Sequence, residues 1–394
     1  MMFGQRQCPA QLFKAVRRMR LFIAVFLTIY SAINFYCFWK IHVAYPGPEV
    51  FTALLALFLI FAIAAPILVR VFERRGYVRL AWLAAAVGYS WMAVLFWFCV
   101  LALLGDGWNL GIRCVTHFEP AASDLLLRPK PALALYGVVV VTSAAWGLVE
   151  AANIRLKEVR LSTPKLARGA APVRIVQVTD IHLSPILKAR TLAKIIRLVN
   201  KAAPDVLVCT GDLSDEPYKI GKSLAEMLAT VRAPMGKFGC LGNHEYYTGL
   251  QNSLSFYQTA GLKTLRGESV VAGPVRIVGV DDPAGLQRRE PCFLDEPAAL
   301  AGADGTRPVV LLKHQPRINP ASAGRFDLQL SGHLHGGQIF PFNLVVYCFY
   351  PITSGLHRVA PNSYIYLSRG TGTWGPPLRL LAPPEVTLII LEPA

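Results

Sequence analysis

Four uncharged, apolar runs in the first 152 residues constrain the fold of this chain more than any other feature of its sequence. They cover residues 21–39, 50–69, 80–104 and 132–149. Each approaches or exceeds the roughly 20 residues with which a helix crosses the hydrocarbon core of a bilayer. They also explain why a chain of 394 residues is 54% hydrophobic and only 16% charged, since ordinary soluble domains are less apolar. The sequence therefore predicts an all-α, four-helix transmembrane region over residues 1–152.

Two other interpretations of these runs fit the sequence less well. Buried core helices would not be expected to occur as four such runs, all with charged residues at their ends. A cleaved signal peptide does not fit the first run, because it is too long and no small-x-small cleavage site follows Trp39. The membrane interpretation is therefore preferred.

Basic residues between the runs predict the orientation in the membrane. Residues 1–20 contain five lysines and arginines, residues 70–79 contain four and residues 155–168 contain five, whereas the alternate connections contain one and three. Basic residues are enriched in cytoplasmic connections. The sequence therefore predicts a multi-pass protein of the inner or plasma membrane, with its N-terminus and everything after residue 152 in the cytoplasm.

The net charge of +16 fits the same arrangement. Basic residues at a cytoplasmic membrane surface attract anionic lipid headgroups. A nucleic-acid-binding surface is the rival explanation, but the second half of the chain contains no basic stripe interleaved with aromatic residues. Membrane lipids are therefore expected partners, and nucleic acid is not. The eight cysteines form no CxxC pair, which is typical of free thiols in a reducing compartment.

In the second half of the chain, short β-branched runs alternate with helical ones. Residues 153–172 are basic and contain proline and glycine, so they are predicted to be a linker to a domain over 173–394. Strands are predicted at 173–179, 205–210, 238–241, 275–280, 308–313, 326–330, 364–368 and 386–391, and helices at 187–202, 220–231 and 250–260. This order predicts an α/β sandwich with mixed sheets.

Five short motifs in this domain contain five of the eight histidines. They are Asp180-Ile181-His182, Gly211-Asp212, Gly242-Asn243-His244-Glu245, Lys313-His314 and Gly332-His333-Leu334-His335. The first three begin at the carboxyl ends of predicted strands, where α/β sheets place ligands. Because residues i and i+2 at a strand end point to the same face, Asp180 and His182 are expected to bind one ion together. The same spacing relates His333 and His335.

The donor types favour a metal site with hydrolytic chemistry. Carboxylate, amide and imidazole donors without cysteine suit Mn²⁺, Fe or Zn²⁺, and the sequence does not choose among them. Two such ions would clamp a phosphate and lower the pKa of a water molecule that attacks it. Each motif alone is also typical of a turn, a cap or a core histidine. Their ordered occurrence favours the metal site.

The ordered motifs resemble the calcineurin-like metallophosphoesterase superfamily over about residues 173–392. The continuation Gly336-Gly337-Gln338 is similar to the membrane-attached subgroup with N-terminal helices. The same holds for the tail Ser368-Arg369-Gly370-Thr371-Gly372 with Pro376, Arg379 and Pro384-Glu385. The resemblance implies a four-layer αββα sandwich, two divalent metal ions and hydrolysis of a phosphate ester.

By position in the motifs, the resemblance also implies a ligand set and one catalytic residue. The ligands are Asp180, His182, Asp212 and His335 for the first ion, and Asp212, Asn243, His314 and His333 for the second. His244 would act as a general acid or charge stabiliser beside the phosphoryl or leaving-group oxygen. Glu245 either orients His244 or faces solvent. Lys313 and Arg369 either contact a substrate phosphate or lie on the surface.

An apolar, aromatic segment over residues 338–350 directly follows the last motif. It is too short to cross a membrane. It is either a buried strand or core loop, or a lip that enters the cytoplasmic leaflet and admits an acyl chain. The lip predicts a lipid-linked phosphodiester or pyrophosphate, with UDP-2,3-diacylglucosamine as the leading candidate because enzymes of the resembled superfamily cleave it. The alternatives are a membrane-tethered phosphodiesterase of soluble nucleotides or nucleic acid, and a non-catalytic membrane scaffold.

Overall fold

The computed structural model describes residues 9–184, 189–215 and 218–394, and these form two compact units that divide between Ala145 and Trp146. Arg6, Cys8 and the predicted helix start at Leu187 lie outside the described residues. The long helices at the start of the chain are α1 (Pro9–Ala44), α2 (Glu49–Arg74), α3 (Val78–Thr116) and α4 (Pro129–Ala152). Each contains a segment long and apolar enough to cross a membrane. This agrees with the four predicted runs.

Helix α3 continues past the predicted run 80–104. The hydroxyl of Tyr36 donates a hydrogen bond of 2.6 Å to Asp106, and Lys40 forms an ion pair with the same carboxylate. The helix therefore continues through Asp106, whose charge is paired, and extends to Thr116.

Two six-stranded sheets form the second unit. The first has the strand order β1-β12-β2-β3-β4-β5 and the second has the order β10-β11-β9-β8-β7-β6. The strands are β1 (Arg155–Thr163), β2 (Val173–Val178), β3 (Val206–Thr210), β4 (Lys237–Cys240), β5 (Lys263–Thr264), β6 (Glu268–Ala272), β7 (Val275–Gly279), β8 (Val309–Leu312), β9 (Leu328–Ser331), β10 (Gly355–Ala360), β11 (Ser363–Leu367) and β12 (Glu385–Pro393). The helices are α5 (Ala189–Lys201), α6 (Tyr218–Ala229), α7 (Asn243–Thr248), α8 (Leu250–Thr259), α9 (Ala284–Arg288), α10 (Glu296–Ala299) and α11 (Phe342–Phe349).

Apolar layers lie between the two sheets and outside each of them. Between the sheets, Ile175 and Val208 of the first sheet and Ile277 and Leu330 of the second are completely buried. On the outer face of the first sheet, α5, α6 and α8 pack over β2 and β3. The outer face of the second sheet packs with α10. Burial on both faces explains the continuous apolar runs of the central strands. The predicted α/β sandwich is therefore confirmed.

The stretch that the sequence predicts to be a linker contains a strand of the first sheet. Strand β1 pairs in parallel with β12, from Arg155 opposite Glu385 to Thr163 opposite Pro393. It is an edge strand, in which charged residues are interspersed with Leu156, Val159 and Leu161. Edge strands commonly carry charges that oppose further pairing, and these charges make the segment resemble a linker in sequence.

Candidate metal centre

The sandwich brings the carboxyl ends of its central strands to one edge. Strands β2, β3 and β4 pair in parallel, as do β8 and β9. The loop after β2 carries Asp180 and His182, and the loop after β3 carries Asp212. Asn243 begins α7, directly beyond β4. The second sheet contributes loops beyond β8 and β9, which carry the remaining three proposed ligands, His314, His333 and His335.

Backbone conformation in these loops differs from the strand geometry assumed in the sequence reasoning. Strand β2 ends at Val178 and β9 at Ser331, so none of the paired ligands lies in a strand. The expected reason for their convergence is therefore wrong. Their backbone instead enters the left-handed region, with φ values of 51° at Asp180, 49° at His182, 54° at Asp212, 78° at His333 and 50° at His335. Strain of this kind at non-glycine residues is concentrated at functional sites.

The first group of donor atoms contains Asp180, His182 and His335, all buried. The Nε2 atoms of His182 and His335 lie 3.1 Å apart. Asp180 Oδ1 lies 3.4 Å from Nε2 of His335, and Asp212 Oδ2 lies 3.6 Å from Nε2 of His182. All four residues that the sequence assigns to the first ion are therefore brought together.

The second group of donor atoms is centred on His314 and shares Asp212 with the first. His314 Nε2 lies 3.3 Å from Asp212 Oδ2, 3.1 Å from Asn243 Oδ1 and 3.2 Å from His333 Nδ1. The same carboxylate oxygen of Asp212 therefore faces both groups, which is the position that a bridging ligand requires.

These distances fit metal coordination. Ligand atoms bound about 2.1 Å from an ion lie roughly 3.0–3.4 Å from one another, and the observed separations are 3.1–3.6 Å. The side chains present buried carboxylate and imidazole atoms to common points, an arrangement that a cation stabilises. The seven residues therefore fit two divalent ions of the Mn²⁺, Fe or Zn²⁺ type.

Hydrogen bonds to the backbone hold the donor atoms in place. Nδ1 of His314 lies 2.7 Å from the carbonyl oxygen of Thr210, so it donates its proton there and leaves Nε2 as the free donor atom. The backbone N–H of His333 donates to both carboxylate oxygens of Asp180. A Cβ on Gly332 would lie 2.1 Å from Oδ2 of Asp180, so only glycine fits between these residues.

Glu245 neither orients the His244 ring nor faces solvent, so neither expectation for it holds. It is buried, and its carboxylate accepts hydrogen bonds from the backbone N–H groups of Asp212, Leu213 and Gly242 at 2.8–2.9 Å. Glu245 therefore fixes the loop that carries the shared ligand.

Asp215 is a functional candidate that the sequence reasoning missed. Its Oδ1 lies 2.6 Å from Nδ1 of His244 and 3.1 Å from Nδ1 of His182. Burial opposes a charged His244, but the carboxylates of Asp215 and Asp212 outweigh it and raise the pKa of His244 to about 9. The signal for Asp215 in the sequence was its position in the same loop as Asp212, three residues further along the chain. These two carboxylates therefore favour the protonated form of the His244 imidazole.

Arg379 is a second residue that the sequence reasoning did not place at the site. It is completely buried, and one guanidinium nitrogen lies 3.1 Å from Nδ1 of His335. Its other contacts are with backbone carbonyls, including those of Gly372 at 2.9 Å and Arg369 at 2.8 Å. Arg379 therefore fixes the His335 ring and the glycine-rich tail together.

The two other basic residues considered in the sequence are engaged elsewhere. Lys313 forms an ion pair with Glu296, and Arg369 pairs with Glu385 at 2.9 Å. Both ion pairs therefore stabilise loops around the site.

Comparison with known proteins agrees with this chemistry. Residues 173–337 match the family model described as calcineurin-like phosphoesterase. An uncharacterized metallophosphoesterase from Aquifex aeolicus (strain VF5) is 38% identical over 256 residues, which cover 64% of this chain and 98% of that protein. This chain belongs to the calcineurin-like metallophosphoesterase family. The predicted family and enzyme class are thereby confirmed.

Relatives with membrane regions match a longer part of this phosphoesterase. A transmembrane protein with metallophosphoesterase domain from Danio rerio is 31% identical over 317 residues, covering 77% of this chain and 72% of that protein. The protein of the same name from Bos taurus is 32% identical over 326 residues, with the same coverage. Together with the four candidate spans, these matches identify a membrane protein. It is a metal-dependent phosphoesterase, and its family fold implies divalent ions.

Proposed function

We propose that this phosphoesterase uses two divalent ions to hydrolyse a phosphodiester or pyrophosphate bond of a lipid-linked substrate. The observation that carries the reaction is the Oδ2 atom of Asp212, which faces both groups of donor atoms at 3.3 and 3.6 Å. Ions bound there would supply Lewis acidity toward the phosphate and the attacking water.

The chain's own residues perform the proton transfer and the positioning. The carboxylates of Asp215 and Asp212 raise the pKa of His244 and favour its protonated form, which would donate the proton that the leaving oxygen needs. Asp215 holds the ring through Nδ1, so Nε2 is the nitrogen that faces the substrate. Tyr247 and Trp374 lie beside this ring, with their ring centroids 5.3 and 5.9 Å from that of His244.

Helix α11 supports a lipid-linked substrate. The sequence left open whether this segment is buried, and the structure makes it an exposed helix in which no residue is buried. Leu344, Tyr347 and Phe349 are 59, 62 and 77% exposed. An apolar surface of this kind marks a contact with a membrane or another apolar partner.

Helix α11 also lies directly beside the metal centre. The ring of Tyr350, which follows α11, lies 6.2 Å from that of His333. Gly337 packs so closely on the start of the helix that a Cβ there would lie 2.4 Å from Cα of Asn343. An acyl chain that lies along α11 would therefore reach the phosphate-binding region.

The last turns of α4 make contact near the start of α11. The backbone N–H of Arg379 donates to the carbonyl of Gly147, and that of Leu381 donates to the carboxylate of Glu150, both at 3.0 Å. Between them, Leu380 pairs with Ile339, which precedes α11. Leu381 itself is 69% exposed. These apolar side chains cluster where the chain leaves a candidate membrane span, which favours a lipid surface over a soluble partner.

A comparison of substrates tests the proposal. The full-length protein, loaded with Mn²⁺ in mixed micelles, would be assayed on a panel of phospholipids and sugar-nucleotide lipids including UDP-2,3-diacylglucosamine, and on bis-p-nitrophenyl phosphate. The combined replacement Phe340→Ser, Phe342→Ser and Phe349→Ser should lower kcat/KM on lipid substrates by about tenfold or more and spare the soluble diester. The matched control is Phe293→Ser, an exposed phenylalanine elsewhere in the domain. Equal losses on both substrate classes would refute the acyl-chain contact. Turnover restricted to soluble diesters would favour a tethered phosphodiesterase, and no turnover would favour a scaffold.

We also propose that the catalytic domain faces the cytoplasm. Basic connections are enriched on the cytoplasmic side of a membrane, and residues 155–168, at the start of this domain, form one of them. Labelling intact cells and inverted vesicles with a membrane-impermeant thiol reagent tests this in the Asp304→Cys variant, because Asp304 is exposed in the catalytic domain and lies outside α11. The wild-type protein gives the background from its native thiols. Labelling of the introduced thiol in intact cells would contradict the orientation.

A further inference from the structure

A polar cavity of about 320 Å³ adjoins the second group of donor atoms. Asn243 and His333, two proposed ligands of the second ion, form part of its wall. The other polar and aromatic wall residues are Tyr247, Asp282, Gln287, Gln315, Arg317 and Tyr350. A phosphate bound at the ions would therefore have one of its substituents in or next to this cavity.

One carboxylate oxygen of Asp282 is buried and accepts no hydrogen bond from a described side chain of the site. The residue is only 1% exposed. Its Oδ1 accepts hydrogen bonds from the backbone N–H of Ala284 at 2.8 Å and from Nε2 of Gln315 at 3.2 Å. Among the described residues, none donates to its Oδ2. A buried acceptor without a donor is costly, and such atoms are usually satisfied by a ligand or a water molecule.

The neighbouring carboxylate shows that this feature is specific to Asp282. Asp281 is held by Arg266, with one nitrogen–oxygen distance of 2.8 Å, and by the backbone N–H of Phe293. Asp282 is also not a member of any group of donor atoms that, in the described part of the chain, lies close enough to share an ion. A structural ion pair and direct metal binding are therefore both unsuitable explanations for its position.

The wall of the cavity also carries a positive charge. Arg317 is exposed, and its guanidinium carbon lies 5.7 Å from the ring centroid of Tyr350. Stacking of this kind holds a guanidinium in a fixed plane while leaving its N–H groups available. The cavity thus presents a hydrogen-bond acceptor in its wall and a cation at its edge, beside the place of the phosphate.

We infer that this cavity binds the polar substituent of the phosphate, and that Asp282 accepts a hydrogen bond from a hydroxyl or ammonium group of that substituent. The inference rests on the proposed function, since the cavity meets a substrate only if its phosphate binds at the ions. Two kinds of lipid headgroup fit this chemistry, because each carries a hydrogen-bond donor a few bonds from the phosphorus atom. Glycerol and sugar headgroups provide a hydroxyl, and ethanolamine headgroups provide an ammonium group.

A binding experiment with three phosphonates tests the inference without requiring turnover. The probes are propylphosphonate, 3-hydroxypropylphosphonate and 3-aminopropylphosphonate, titrated calorimetrically into the Mn²⁺-loaded, full-length protein. Because a hydrogen bond to a buried carboxylate is stronger than one between neutral groups, at least one donor-bearing probe should bind about tenfold more tightly than propylphosphonate. The probe that gives this gain in affinity shows whether the substituent carries a hydroxyl or an ammonium group.

Two variants distinguish the role of Asp282 from general damage to the site. Asp282→Ala should remove the preference for the donor-bearing probe and leave the affinity for propylphosphonate within about threefold. Glu290→Gln, a carboxylate in the same segment but outside the cavity wall, should preserve the preference. Equal affinities for all three probes in the wild-type protein would overturn the inference, as would an equal loss for all three in Asp282→Ala. If the protein hydrolyses no phosphoester but keeps the donor preference, the proposed function fails and the subsite stands.

Discussion

The pair formed by Asp215 and His244 leads to the sharpest prediction about the reaction. The pKa of His244 is raised from 6.5 to about 9, which corresponds to about 3 kcal/mol in favour of its protonated form. A general acid acts in its protonated form, so activity should persist up to about pH 9 and fall as the pH rises through that value. In Asp215→Asn, the nearest carboxylate loses its charge, and the pKa of His244 should move back toward 6.5.

The size of the effect follows from the protonated fraction. If the pKa of His244 returned fully to 6.5, only about 3% of the enzyme would carry the proton at about pH 8, so the rate would fall roughly 30-fold. Asp212 still raises the pKa in the variant. We therefore expect a loss of between about 3-fold and 30-fold, with the alkaline limb of kcat/KM shifted to lower pH.

The assay compares two diesters that differ in their leaving group. A p-nitrophenolate leaves readily without a proton, whereas an alkoxide needs one, so the loss in Asp215→Asn should be much larger for the alkyl leaving group. This comparison also separates proton transfer from metal loss, because Asp215 contacts His182 and a lost ion would reduce both rates equally. Asp304→Asn, at an exposed aspartate, is the control. An unshifted alkaline limb, or equal losses on both diesters, would refute the acid role of His244.

Three substitutions test the framework around the ions. Glu245→Gln should lower the free energy of unfolding by about 2–4 kcal/mol, measured by thermal denaturation in detergent, because a carboxylate oxygen that accepts backbone N–H groups becomes a donor; unchanged stability would contradict this role. Gly332→Ala should reduce the bound metal while the far-UV circular dichroism stays native, because the new Cβ would displace Asp180; full metal content in this variant would show that the loop adapts. Arg379→Lys should weaken metal binding by about 10- to 100-fold in a competition titration with a chelator, since a lysine does not reproduce the contacts with His335 and the surrounding carbonyls; wild-type affinity would exclude Arg379 as a positioning residue.

The metal-binding motifs could be recognised in the sequence because of the chemistry of their side chains. Asp180, His182, Asp212 and their partners are unusual residue types in ordered short motifs, and their loops follow strands that the apolar pattern predicts. What the sequence reasoning misjudged was the conformation of these loops. Left-handed φ values at Asp180 and His335 are imposed by tertiary contacts and by glycines such as Gly332, so strand periodicity does not describe them.

Features that depend on tertiary partners could not be predicted in the same way. Glu245 binds the backbone of a loop more than 30 residues away in sequence, and Arg379 reaches His335 across 44 residues. Strand β1 resembled a linker because charges on an edge strand have no distinctive pattern. Helix α11 was ambiguous because an apolar segment is compatible with burial or with a membrane surface, and only the packing around it decides between them.

The metal content of the purified protein tests the central claim most directly. After dialysis, inductively coupled plasma mass spectrometry on the Mn²⁺-loaded, full-length protein should find about two ions per chain. Asp212→Ala should retain less than one, since this carboxylate faces both groups of donor atoms, whereas His314→Ala, which changes only the second group, should retain about one. A single ion per chain in the wild-type protein, or an unchanged content in Asp212→Ala, would contradict a shared two-ion centre.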